Sequence, residues 1–167
     1  MQESTMIPKI IQPFTLPINK IFFSKKVQDY CKLKYTSHKN GCPNYGQRDH
    51  CPPKAGLIDS YIDINRPMYL VIEEFDLAGH MLKMKTKHPH WTERQCRNVL
   101  YWQRIPRKKL KQKVELVMEV LGLDAVSYTP EGQGVQMYNT CLWSGLKLER
   151  IKGLKLHRQI AIVGYKL

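Results

Sequence analysis

Met68-Tyr69-Leu70-Val71-Ile72-Glu73-Glu74-Phe75 is the stretch on which the fold turns. Its β-branched and aromatic residues form a nearly continuous apolar run, the pattern of a strand buried on both faces at the centre of a sheet. Downstream, Asp76 can cap a helix bearing a weak stripe of Leu77, Met81, Leu82 and Met84, which His88-Pro89-His90 ends. Thr92 and Gln95 stand at capping-box spacing and open a short helix with Cys96, Val99, Leu100 and Gln103 along one face. Pro106 sits in the first turn of a third helix, where Leu110, Val114, Val117 and Leu121 recur at helical spacing and Gly122 is the stop. A second strand is expected over residues 124–129. An amphipathic helix follows over 134–144, with Val135, Tyr138, Cys141 and Leu142 near one face, and a closing strand over 159–165.

Upstream, a helix is expected over residues 54–61. Ser24 can cap another reaching about Leu33, with Cys31 in its last turns, and a short strand fits 18–23. Residues 1–23 are Pro-rich and read as an extended arm. Residues 35–53 show neither period, only Gly, Pro, Asn, Ser and His around two cysteines, a length of loop that needs a function or a tether. The expectation is a single mixed α/β domain over 1–167, with about three to five strands flanked by helices and a long cysteine-containing loop in the N-terminal third.

Composition narrows the function classes. With 167 residues, 43% hydrophobic and 25% charged, the chain is neither disordered nor fibrous, and no apolar run approaches the ~18 residues of a membrane span. Pro8, Lys9, Pro13, Pro17 and Lys20 interrupt any signal-peptide core, so the five cysteines point to a reducing, cytoplasmic setting and away from a disulfide framework. Metal binding or catalysis is the alternative use of such cysteines. No Gly-rich phosphate loop, nucleophile elbow or His-Glu-x-x-His pattern occurs, which disfavours an ordinary hydrolase or transferase. Asp59, Asp63, Glu73 and Glu74 read as solvated acids.

Cys31, Cys42 and Cys51 carry the chemical signal. Thiolates are soft donors for iron–sulfur clusters and zinc, and three on an irregular loop can converge without helix or sheet geometry opposing them. Pro43 and Pro52 directly follow two of them, and Gly41 and Gly46 allow tight turns. A fourth thiolate would come from Cys141 or Cys96, the latter equally readable as a small core residue; His38 or His50 could instead complete a zinc site. If neither cysteine binds, one iron of a cubane stays open.

The run Gly41-Cys42-Pro43-Asn44-Tyr45-Gly46, followed by Cys51-Pro52-Pro53, resembles the signature of an uncharacterised family of metal-binding proteins of anaerobic bacteria and archaea, to which an iron–sulfur cluster is ascribed. Pro130-Glu131, Gly134-Val135 and Tyr138-Asn139-Thr140 up to Gly145 and Leu148 resemble its C-terminal pattern, in which Cys141 lies. Many members carry a second cysteine cluster ahead of that pattern, which this chain lacks. The resemblance implies a cofactor class, an iron–sulfur cluster, and no reaction; for the loop cysteines the expected form is [4Fe–4S].

The charge points elsewhere in the chain. The net charge is +13, and residues 83–113 alone hold 11 basic and 1 acidic side chains. Arg104, Arg107, Lys108, Lys109, Lys111 and Lys113 crowd the start of the third helix, while Glu115 and Glu119 lie toward its end, against the macrodipole. An anion at that N-terminus would collect cations and N–H groups together, so an anionic partner is expected, either RNA such as tRNA or an acidic redox protein. Trp91, Tyr101 and Trp102 could stack on bases or belong to the core. Lys147, Arg150, Lys152, Lys155 and Arg158 make a second basic patch. Two readings stand: an iron–sulfur protein acting on an anionic partner, including RNA modification, and a zinc-stabilised basic nucleic-acid-binding module.

Overall fold

The computed structural model describes residues 6–34, 38–150 and 153–167. Strands β1 (Thr15–Pro17), β2 (Tyr69–Asp76), β3 (Ala125–Ser127) and β4 (Leu156–Gly164) form an antiparallel sheet in the order β1-β2-β4-β3. The 68–75 run is interior, as its pattern requires. Register sets its two faces: Tyr69 and Val71 oppose Val163 and Ala161 on one, while Leu70 and Ile72 oppose Ile162 and Ile160 on the other.

Helices α1 (Lys25–Asp29), α2 (Leu77–Lys87), α3 (Glu93–Cys96), α4 (Arg104–Leu121) and α5 (Met137–Trp143) surround it. On one face α4 buries Leu110, Val114 and Val117 against Tyr69, Val71, Ala161 and Val163, and Gly122 ends it at φ +64°. Asp76 caps α2 by accepting from Gly79 N at 2.8 Å, and the Thr92/Gln95 capping box opens α3. The other face is covered by irregular chain around Ile58, Ile62 and Val135, together with Met137 and Cys141 of α5.

Several expectations are corrected. The helix expected over 54–61 is a single 3-10 turn, Ile58–Ser60, because Gln28 Nε2 takes the Ala55 and Gly56 carbonyls at 2.9 and 3.3 Å and so holds them out of a helical ladder. Of the extended arm expected over 1–23, residues 1–5 lie outside the described residues; further on, Ile11 is fully buried under α4, and the edge strand is Thr15–Pro17 rather than 18–23. Phe22 and Ser24 bond instead to Gln136 and Gly134. The face Cys96, Val99, Leu100 and Gln103 is broken at Asn98, whose side chain accepts from Leu100 N and turns the chain; Cys96 is buried and Leu100 is 80% exposed. Helix α5 starts at Met137, capped by Gln136, and buries Met137, Thr140 and Cys141 while Tyr138 and Leu142 face solvent. Glu73 is no solvated acid. It is 4% exposed, with Lys113 Nζ 2.6 Å from its carboxylate. No helix among the described residues is long and apolar enough to cross a membrane.

Candidate metal centre and basic surface

Cys31 lies in a 3-10 turn, Tyr30–Lys32, that extends α1. Its carbonyl accepts from Cys42 N at 2.8 Å, which brings the second cysteine to the first. Gly41 makes this approach possible: it adopts φ +84°, and a Cβ there would lie 2.7 Å from the Cys31 oxygen. Tyr45 N then donates to Cys42 O, Gly46 N to Pro52 O at 2.7 Å, and Cys51 N to Arg48 O, folding 42–52 back on itself. The Pro52–Pro53 peptide is cis.

The turn Pro130–Gln133 backs this loop. Gly132 packs so closely that an added Cβ would stand 3.0 Å from His50 O and 3.9 Å from Cys51 Cα. Gln28 Nε2 also donates to Gly132 O at 3.0 Å, and the Ser127 hydroxyl to Gln133, so three segments share one buried tether.

The three loop cysteines are half-buried free thiols within electrostatic reach of one another. Burial pushes the Cys31 thiol up first, and the Cys42 and Cys51 sulfurs and Glu131 add to it. Burial and Cys42 likewise raise the Cys51 thiol, against a lowering by Arg48. In donor type the set fits a thiolate-bound metal group, since a cation removes the repulsion that keeps adjoining thiols protonated. Among the described residues no three His, Cys, Asp or Glu side chains stand close enough together to hold a single metal ion.

Cys141 is not brought to these three. It is fully buried among the residues that include Ile58, Val135 and Ile162, and burial pushes its thiol up to about 12. Cys96 is likewise buried, at 2% exposure. Glu131, absent from the donors expected from the sequence, lies in the field of both Cys31 and Cys141. Its signal was the Pro130-Glu131 pair already singled out in the C-terminal pattern.

The basic surface separates into parts. Arg104, Arg107, Lys108, Lys109 and Lys111 are all exposed on α4, but Lys113 turns to the sheet, pairing with Glu73 and donating to Ile72 O at 3.2 Å. The N-terminus of α4 offers few N–H groups: Ile105 N donates to Trp102 O, Arg107 N to Gln103 O, and Pro106 has none. An anion there would therefore meet side-chain cations. Trp102 is core, stacked on Phe75 at 5.0 Å with an 8° tilt. His88, Trp91 and Tyr101 form a row nearer the surface, with centroids 4.0 and 5.1 Å apart.

The C-terminal patch meets this corner through Arg97 Nη2 to Leu154 O at 3.5 Å and Ala78 N to Lys155 O at 2.9 Å. Lys147, Arg150 and Arg158 line an open groove of about 430 Å³ with Tyr138; Lys152 lies outside the described residues. None of the family models, curated proteins or solved structures compared with the chain matches it.

Proposed function

We propose that this is a cytoplasmic iron–sulfur protein whose Cys31, Cys42 and Cys51 bind a [4Fe–4S] cluster, with the exposed cations of α4 docking an anionic partner for redox or cluster-dependent chemistry. The observation that carries the reading is the backbone closure of the cysteine loop, in which Cys42 N donates to Cys31 O at 2.8 Å and Gly46 N to Pro52 O at 2.7 Å. When bound, such a cluster supplies one-electron transfer. The chain's own residues bring the backbone of Cys42 to that of Cys31 through Gly41 and back the Cys51 turn with Gly132, which Gln28 holds in place. Cys141 stays a core residue in this reading. Anaerobically reconstituted protein is expected to absorb broadly near about 400 nm. Cys42→Ser or Cys51→Ser abolishes that band and Cys141→Ala retains it; a colourless protein with stoichiometric zinc overturns the reading.

RNA, such as tRNA, and an acidic redox protein are the partner chemistries that suit the basic surface. The His88-Trp91-Tyr101 row, with Lys85 Nζ donating to Trp91 O at 2.6 Å, favours a second reading, a zinc-stabilised module that binds nucleic acid. In that case binding of a single-stranded oligonucleotide falls steeply with salt and weakens in Lys108→Glu/Lys109→Glu; binding indifferent to salt removes it.

A further inference from the structure

A cavity of about 290 Å³ opens at the edge of the sheet, where β1 ends and β2 runs on. Ile72, Glu73 and Glu74 line one side, the chain at Phe14 and Thr15 another, and Lys113 and Leu146 close it. Glu73, with its side chain 5% exposed, pairs with Lys113 Nζ at 2.6 Å, and that ammonium stands 4.9 Å from the Phe14 ring centre. Thr15 is 2% exposed, and its hydroxyl has no hydrogen-bond partner. Gln159 stands opposite Glu73 in the β2–β4 register, and its Oε1 is also buried without a partner.

Three polar side chains, Thr15, Glu73 and Gln159, thus interrupt a sheet face that is otherwise Tyr69, Val71, Ala161 and Val163, and Lys113 of α4 reaches down to them. Stability does not account for them. A buried ion pair is commonly no better than apolar residues of the same volume, and a buried hydroxyl left unbonded is a cost. A ligand that bonds to the three that line the cavity, Thr15, Glu73 and Lys113, does account for those three.

We infer that this cavity binds a small zwitterion, an α-amino acid with an apolar side chain. Each lining carboxylate already has a cation, Glu73 the lining Lys113 and Glu74 the guanidinium of Arg158 outside the cavity at 3.0 Å, so a ligand of net charge would add an uncompensated one. A zwitterion adds none. Its ammonium meets the Glu73 carboxylate, its carboxylate meets the ammonium of Lys113, and Thr15 Oγ1 bonds to either end. Phe14, Ile72 and Leu146 form the apolar wall for its side chain, and the volume matches the small end of the range for ligand sites. The inference is independent of the metal reading, since no loop cysteine lines this cavity.

The test is calorimetry and thermal shift on the full chain with free leucine and free methionine, beside 3-methylbutylamine and 4-methylpentanoate, which carry one charge each. The amino acids are expected to bind saturably and raise Tm, with the single-charge analogues at least about tenfold weaker. Thr15→Val, which keeps the shape and removes only the hydroxyl, weakens amino-acid binding by about tenfold while the protein stays folded, and Glu73→Gln abolishes it. The inference is overturned if neither amino acid binds at about 10 mM, if an analogue binds as well, or if Thr15→Val binds unchanged.

Discussion

The two faces of the sheet are covered in different ways. One is closed by α4, eighteen residues whose apolar stripe supplies Leu110, Val114 and Val117 in a single regular element. The other is closed by irregular chain and the seven residues of α5. A helix satisfies its own backbone, so it needs only an apolar stripe to cover a face. Irregular chain leaves carbonyls and N–H groups that something else must bond. Gln28 serves that need, reaching Ala55 O, Gly56 O and Gly132 O from a side chain only 7% exposed. The three loop cysteines lie on the side organised by this tether.

That contrast can be broken from either side. The largest expected effect is Leu110→Ala on the regular face, which removes a buried side chain from a rigid helix–sheet contact and costs about 3 kcal/mol by denaturant titration. Metal loading is expected to survive it wherever the protein remains folded. Gln28→Leu comes next, at about 2 kcal/mol, because it strands buried carbonyls on the irregular face; here loss of metal uptake accompanies the loss of stability. Equal effects of both variants on metal uptake would erase the distinction between the faces.

Cys141 gives a pH-dependent version. Its folded thiol is raised from the ordinary range near 9 to about 12, so the native state holds a proton that the unfolded chain releases. The sign follows: this contribution is complete below about pH 9 and is lost as pH rises toward 12. By pH 10.5 wild type is expected to have lost about 2 kcal/mol more than Cys141→Ala, read as the difference in slope of stability against pH. Parallel slopes would mean that Cys141 is not a sealed core thiol.

The smallest effect sharpens the role of the charge. Arg104 opens α4 at the positive end of its dipole, with no acid in the first turn. Arg104→Glu is therefore expected to raise stability by about 0.5 kcal/mol while weakening binding of an anionic partner. A gain in stability with loss of binding marks a surface kept for its partner.

The same contrast explains what was legible beforehand. The 68–75 run, the α4 stripe, its Gly122 stop and the Thr92/Gln95 box could be read because periodicity and capping are local. The turn at 58–60 could not, since it depends on a glutamine about thirty residues earlier in the chain. The burial of Ile11 and the inward turn of Lys113 toward Glu73 are likewise long-range facts with no local mark. That Cys42 closes back on Cys31 had a local mark in Gly41, whose positive φ the approach requires. The placement of Cys141 in the core and of Glu131 within the field of Cys31 depends on how the irregular face assembles, and spacing does not encode that.

The central claim is that the three loop cysteines hold an iron–sulfur cluster without Cys141. Its most direct test is iron, zinc and acid-labile sulfide analysis with electron paramagnetic resonance on anaerobically prepared wild type, Cys31→Ser and Cys141→Ala. The account predicts about four iron and four sulfide per chain in wild type and Cys141→Ala, with a reducible cluster signal that Cys31→Ser lacks. Stoichiometric zinc without sulfide, or a cluster lost in Cys141→Ala and kept in Cys31→Ser, would contradict it.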